Sequence, residues 1–149
     1  MGQLSEFRGS SVWFRCLLTG LLGLVLFSLA MIFWPVGIHL LFDWIAFDGS
    51  PPPPLMEPAA REYLGFVYGV MGAIMLGWSG TLLYIAKGPL RDGKNWAWYA
   101  IALPLTLWFI ADSLHSILSG FWHNAVFNLA FYILLGLPLL LLKKGAGQP

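Results

Sequence analysis

Two apolar stretches separated by only two residues decide the fold: 96–118, WAWYAIALPLTLWFIADSLHSIL, and 121–142, FWHNAVFNLAFYILLGLPLLLL. A helix needs about 20 apolar residues to cross roughly 30 Å of hydrocarbon, so each stretch can span a membrane. Because their connection is so short, we expect the two helices to be antiparallel neighbours. Stretches 12–34 and 64–86 meet the same criterion. The sequence therefore predicts an all-α integral membrane protein, a single domain over residues 1–149 that forms an antiparallel bundle of four transmembrane helices.

The composition also indicates a membrane protein. Apolar residues make up 58% of the 149 residues and charged residues 10%, whereas soluble domains have about 45–50% and about 25%. A net charge of +1 offers no basic surface for nucleic acid, and the single cysteine, Cys16, excludes a disulfide framework. Arg8 and Arg15 precede an apolar run, as in a signal peptide, but the run continues through Trp34, which favours a span.

Basic residues are concentrated in the flanks that would lie on one side of the membrane. They occupy the N-terminal flank, the connection between the second and third spans, and the C-terminal tail: Arg8, Arg15, Lys87, Arg91, Lys94, Lys143 and Lys144. The connection 35–63 has Arg61 as its one basic residue. Lys and Arg favour the cytoplasmic side, so we expect both termini in the cytoplasm and a multi-pass protein of the plasma (inner) membrane.

The connection 35–63 is the one long loop and is expected to cap the outer end of the bundle. Pro35 ends or kinks the first helix, and Pro51–Pro54 predict a stiff polyproline II segment. Between them, His39 and Asp43 are four residues apart and would share one face of a short helix. We expect this helix to lie at the membrane interface with its polar edge toward water.

The second span carries a row of glycines suited to close helix packing. Gly65, Gly69, Gly72 and Gly80 repeat at three- and four-residue intervals or their multiples. Helices in lipid associate where small residues let their backbones approach. The partner of this face is either another span of this chain, through Gly20 and Gly23 of the first span, or another membrane protein.

Polar side chains within the last two spans provide the candidate site. Asp112, His115 and Ser116 fall on one face of the third span, with Trp108 a turn earlier. An ionisable group at membrane depth costs at least about 2.5–3.5 kcal/mol and is by default a functional hypothesis. Counting residues from the connection places Asp112 opposite Asn128.

The fourth span has a polar row of its own, at four-residue spacing: Asn124, Asn128 and Tyr132. The same residue count places His115 opposite Asn124. Two interpretations stay open. The polar groups either fix the register of two helices by hydrogen bonds, or line an outer-face pocket in which Asp112 is a proton acceptor or ligand anchor and His115 titrates near neutral pH.

The candidate pocket combines these residues with the polar pair of the connection: Trp108, Asp112, His115, Ser116, Asn124, Asn128, Tyr132, His39 and Asp43. No motif for a metal, haem, phosphate or nucleophilic triad is present, so no cofactor and no catalytic residue is predicted. Four spans with one intramembrane acid, Asp112, resemble the EXPERA group of sterol isomerases and sigma-2-type receptors, and equally small DoxX-like membrane proteins. The first resemblance implies an apolar ligand in an intramembrane cavity.

Two functions compete on this basis. The first is a non-catalytic accessory subunit of a membrane complex, which the short loops and the glycine face favour. The alternative is a binding protein or enzyme for an apolar, lipid-like molecule, held in an outer-face pocket around Asp112 and His115. A channel is disfavoured because the predicted cytoplasmic half of the bundle has few polar groups.

Overall fold

The computed structural model describes residues 3–46 and 58–145, where the chain is helical apart from short connections. The five α-helices are α1 (Gln3–Phe33), α2 (Pro35–Ala46), α3 (Pro58–Ile85), α4 (Asn95–Leu118) and α5 (Trp122–Gly145). A π-helical turn, Ala86–Leu90, continues α3.

Four of these helices are long and apolar enough to cross a membrane, which confirms the prediction of four apolar helices. The segments contain 22, 33, 24 and 21 residues: Val12–Phe33, Pro58–Leu90, Asn95–Leu118 and Trp122–Leu142. The second segment starts six residues earlier than predicted. Helix α2, with 12 residues, is too short to cross a bilayer. Residues 47–57 lie outside the described residues, so the polyproline segment and the cap remain predictions.

Two hairpin turns have the same hydrogen-bond pattern and a left-handed glycine. At the end of α4, the Gly120 amide donates to the Ile117 carbonyl and the Phe121 amide to the Ser116 carbonyl. Gly120 has a φ of 84°. This is the Schellman arrangement, in which glycine adopts the backbone that an L side chain disfavours. Gly93, with a φ of 72°, ends the turn after α3 in the same way.

Helix α1 lies between α3 and α5, and α4 packs mainly against α5. In the hydrogen bonds between α4 and α5, residues later in α4 bond to residues earlier in α5. These two helices therefore run in opposite directions. Buried leucines of α1 and α5 join Ile101 and Leu105 of α4 in one apolar core. We call the end with the Ser119–Phe121 turn the turn end, and the end with the 91–94 loop the loop end.

The glycine row of α3 meets α1 at one position only. A Cβ atom on Gly72 would lie 2.7 Å from Met31 Cβ and 2.8 Å from the Ser28 carbonyl oxygen. A Cβ on Gly65 would meet Pro35 at 3.8 Å, and at Gly69 and Gly80 it would meet nothing within 4 Å. Gly72 thus sets the approach of α1 and α3, whereas a Cβ at Gly69 or Gly80 would have open space around it in the described part of the chain.

Neither of the two α1 glycines expected to contact this face of α3 does so: a Cβ on Gly23 would meet nothing within 4 Å, and Gly20 contacts another helix. A Cβ on Gly20 would lie 2.7 Å from Leu135 Cδ2, so this glycine meets α5 and not α3. At the level of Gly20 the neighbour of this glycine is α5, whereas α1 contacts Gly72 of α3 through Ser28 and Met31, about two to three turns further along the helix.

Candidate functional site

Asp112, Ser116 and Asn124 form a hydrogen-bonded cluster between α4 and α5, which we call the Asp112 cluster. The Asn124 Nδ2 donates to Ser116 Oγ at 2.8 Å and to Asp112 Oδ1 at 3.3 Å. The Ser116 hydroxyl donates toward the Asp112 carbonyl oxygen at 2.7 Å, with Oδ1 at 3.3 Å. Asp112 and Ser116 share a helical face, and one amide from α5 serves them both. Bonds of this kind between membrane helices contribute about 0.6–1.7 kcal/mol each.

Asn128 does not bond to Asp112, and the expected pairing of these two residues is wrong. The Asn128 side chain is 3% exposed, and its Nδ2 has no hydrogen-bond partner among the described residues. Asn124, one turn nearer the turn end, occupies the position between Ser116 and the Asp112 carboxylate. Counting residues from the connection predicted the approximate depth of the contact in the bundle. It did not predict which of two residues one helical turn apart on α5 would bond to Asp112.

His115 lies outside the cluster, because the Asn124 amide donates to Asp112 and Ser116 and not to His115. The His115 side chain is exposed. Successive helical residues differ by about 100° in direction, so Ser116 takes the position facing α5 and His115 is rotated away from it. Ser113 is 9% exposed, and its Oγ has no partner within the described part of the chain. Trp108 packs against Trp78 of α3, with ring centroids 6.1 Å apart.

His39 and Asp43 face the bundle, so the expectation that the polar edge of α2 faces water is wrong. His39 Nε2 lies 3.3 Å from Asp43 Oδ2, and the two side chains are 18% and 19% exposed. The His39 ring is 6.2 Å from that of Tyr68 on α3. The exposed positions of α2 are apolar: Val36, Leu40 and Trp44. In lipid, polar groups are best placed against other polar groups of the protein, which turns the apolar face outward.

A cavity of about 250 Å³ lies between α4 and α5, nearer the loop end than the Asp112 cluster. Its inner wall includes the buried Leu105 and Leu139. Its outer rim includes Ile133 and Leu137, which are exposed on the side of the bundle. An apolar molecule dissolved in the bilayer could therefore enter the cavity laterally, between α4 and α5. Among the candidate pocket residues, Tyr132 lines this cavity.

Two hydrogen bonds between the helices mark the ends of the cavity. The Trp98 Nε1 donates to the Leu139 carbonyl oxygen at 2.8 Å on the loop-end side. The hydroxyls of Thr106 and Tyr132 lie 3.1 Å apart on the other side. The Tyr132 ring stacks on Phe109, with centroids 4.5 Å apart, and this pair lies between the cavity and the Asp112 cluster. The two polar regions are therefore separate features of one helix pair.

Sequence reasoning missed Trp98 and Thr106, although Gly136, which lines the cavity, and two prolines near the lining residues stand out in the sequence. Pro104 and Pro138 lie inside α4 and α5, sixteen residues before and eighteen after Gly120. At about 1.5 Å per residue both are roughly 25 Å from the turn. Each proline lacks an amide hydrogen and disturbs the preceding helical turn. Gly136, beside them, has no side chain to fill the space between the helices.

Across the described residues, no group of three or more His, Cys, Asp or Glu side chains is arranged to hold a metal ion. A comparison of the chain with models of protein families, with curated proteins and with solved structures finds no match.

Proposed function

We propose that this protein binds a compact apolar molecule within the membrane, in the cavity between α4 and α5. The observation that carries the proposal is the cavity of about 250 Å³. Apolar side chains form most of its wall, it opens toward the lipid-facing side, and a hydrogen-bonded pair closes each end. Ligand sites are commonly apolar cavities of this kind, with few polar groups that set orientation.

The volume restricts the ligand to a small molecule or a short part of a larger one. An apolar cavity of about 150 Å³ accommodates benzene, and pockets for drug-sized ligands begin at about 300 Å³. A molecule with one ring and a short branch fits between these limits. The lining contains no Asp, Glu, Lys, Arg or His, so we propose that the ligand is uncharged.

Filling the cavity tests the proposal. A leucine at Gly136 would project into the space beside the Tyr132 ring, which is 4.0 Å from the added Cβ. Gly23→Leu is the matched control, because a Cβ at this exposed glycine of α1 meets nothing within 4 Å. The probe is limonene, added to the purified protein in a mild detergent, and the readout is the midpoint temperature of unfolding.

A ligand that binds only the folded state raises stability by about 2.7 kcal/mol at a hundredfold excess over Kd. We expect limonene to raise the midpoint of the parent and of Gly23→Leu, and to leave that of Gly136→Leu unchanged. Equal shifts in all three proteins would show that limonene acts through the micelle, and the proposal would be abandoned.

A second pair of variants tests the proposal independently in case Gly136→Leu does not fold. Ile133 and Leu134 are neighbours on α5 with the same exposure, 51%. Ile133 lines the cavity and Leu134 does not. Ile133→Trp should reduce the limonene shift, and Leu134→Trp should retain it. A limonene shift that survives in Ile133→Trp and Gly136→Leu alike contradicts binding in this cavity.

We propose for the orientation that both termini face the cytoplasm and that the four spans alternate in direction. The 91–94 loop contains Arg91 and Lys94, and Lys87 precedes it. The turn 119–121 has no basic residue. The bias of Lys and Arg toward cytoplasmic loops supports this assignment.

A second candidate function, an accessory membrane subunit, is favoured by the outward face of α3. The share of the apolar segment that is buried is 17% for α3 and 33% for α1. Gly77 and Gly80 are exposed, and a Cβ at either would meet nothing within 4 Å. Small residues on a lipid-facing surface suit a further transmembrane helix from another protein.

Cross-linking at this face separates the second candidate from self-association. Gly77→Cys in a Cys16→Ser background places one thiol on the face. A cross-link to one defined partner, lost when Gly80→Leu is added, supports the accessory role. A cross-link between two copies of this chain, or none at all, contradicts it.

A further inference from the structure

The polar end of the cavity contains two hydroxyl groups and one hydrogen bond. Thr106 Oγ1 and Tyr132 Oη lie 3.1 Å apart, and either can donate to the other. Each group carries one hydrogen. One of the two hydrogens is used between them, so the other needs a separate acceptor.

No such acceptor is present in the described part of the chain. A threonine in a helix commonly donates to the carbonyl one turn earlier, which for Thr106 belongs to Ala102, but this bond is not formed. Thr81, by contrast, makes this type of bond to Gly77 at 2.9 Å. Stacking on Phe109 holds the Tyr132 ring in place. One O–H donor therefore remains unmatched at the cavity wall.

Water is a poor partner for this donor. A buried water molecule is held by about three polar groups. The indole N–H of Trp98, at the opposite end, already donates to the Leu139 carbonyl oxygen. The remaining wall of the cavity is mostly apolar. An unpaired donor in such surroundings is costly, so a ligand oxygen at this point would be favoured.

We propose that the natural ligand carries a carbonyl-type oxygen that accepts a hydrogen bond from the Thr106–Tyr132 pair. The inference rests on the proposed function and narrows its ligand to a neutral, compact ketone, ester or related carbonyl compound. A carbonyl is preferred over an alcohol because it brings no hydrogen of its own that would need an acceptor. A charged ligand is disfavoured by the absence of charged groups from the lining.

The experiment compares limonene with carvone, a ketone on the same carbon skeleton. The proteins are the parent and the double variant Thr106→Val/Tyr132→Phe, purified in the same detergent. Replacing both partners of a hydrogen bond by apolar groups of similar shape is nearly neutral for stability, so the double variant should fold. The affinity for each compound is measured by its concentration-dependent shift of the unfolding midpoint.

We expect the parent to bind carvone about tenfold more tightly than limonene, once each Kd is corrected for partition into the micelle. In the double variant we expect the ratio of the two affinities to fall to about one, whatever the change in the limonene Kd itself. The comparison between proteins cancels any difference in how the two compounds dissolve in detergent.

The outcomes separate this inference from the proposed function. If limonene and carvone bind the parent equally, or if the double variant retains the preference, the carbonyl proposal is wrong although the cavity still binds apolar molecules. If neither compound binds the parent, both proposals fail. If the parent does prefer carvone, the single variants Thr106→Val and Tyr132→Phe identify the donor. Loss of the preference in Tyr132→Phe but not in Thr106→Val assigns the donated hydrogen bond to the tyrosine.

Discussion

Gly72 offers the sharpest test of how α1 and α3 pack. An alanine at this position would place its Cβ 2.7 Å from Met31 Cβ and 2.8 Å from the Ser28 carbonyl oxygen. Carbon atoms in contact are normally about 3.5–4.0 Å apart. Both obstacles are close to the α1 backbone, so no flexible side-chain end can move aside. The two helices would have to separate by roughly 0.7 Å or more.

The magnitude follows from the cost of overpacking, which is typically about 1–3 kcal/mol. Alanine also favours a helix over glycine by up to about 1 kcal/mol, and this gain partly offsets the cost. Gly69→Ala is the control for that gain, because Gly69 lies three residues earlier on α3 and a Cβ there meets nothing within 4 Å. The gain in helix propensity is the same in both variants and is removed when their stabilities are compared. We therefore expect Gly72→Ala to be less stable than Gly69→Ala by about 1–3 kcal/mol.

Gly20→Ala provides an intermediate case. Its new Cβ would lie 2.7 Å from Leu135 Cδ2, the flexible end of a side chain. Rotation of that leucine should hold the loss below about 1 kcal/mol. The assay is equilibrium unfolding in mixed micelles of a mild detergent and sodium dodecyl sulfate, followed by circular dichroism. Equal stability of Gly72→Ala and Gly69→Ala would refute the close packing of α1 on α3.

Three further predictions concern the helices α4 and α5 and the membrane orientation. Asn124→Leu removes both amide bonds of the Asp112 cluster and should lower stability by about 1.2–3.4 kcal/mol, twice the value for one such bond. Asn128→Leu, which loses no bond through Nδ2, should be neutral or stabilising, and the reverse order in the unfolding assay would contradict the assigned bonds. Asp112→Asn keeps an acceptor oxygen at the same place, so we expect normal insertion into membranes and a stability change below about 1 kcal/mol; failure to accumulate in the membrane fraction argues against this. Asp92→Cys and Ser119→Cys, each made in a chain without its natural cysteine, should react with a membrane-impermeant maleimide from the cytoplasmic and the outer side respectively, and labelling from the opposite sides would reverse the proposed orientation.

The Asp112 cluster illustrates how far residue counting can reach. The sequence predicted that polar residues of the last two spans would meet near their short connection, and Asp112, Ser116 and Asn124 do so. It did not predict that Asn124 would be the partner, or that the Nδ2 of the buried Asn128 would have none among the described residues. The spacing of residues along a helix predicts the position of a side chain along the helix axis to within about one turn. Which side chain crosses to the neighbour depends on the rotation of both helices.

Helix α2 failed to follow the sequence prediction for a related reason. Its polar edge, His39 and Asp43, was expected to face water, because an isolated amphipathic helix at an interface adopts that orientation. In the bundle, Tyr68 of α3 lies beside this edge and the apolar residue Trp44 points outward. The preferred direction of an amphipathic face depends on what surrounds the helix, and that is a property of the assembled bundle.

The sequence by itself determined four apolar helices, their approximate limits and the tight turn between α4 and α5. These features depend on the transfer of each stretch into hydrocarbon and on local backbone preferences such as the left-handed Gly120. The tertiary structure decided that Gly72 is the close contact of α3, that Asp112 bonds to Asn124, and that a cavity lies between α4 and α5 with Thr106 and Tyr132 at one end. Those outcomes depend on helix rotation, register and side-chain volume together, because lipid offers no contrast in hydropathy to orient one apolar helix face against another.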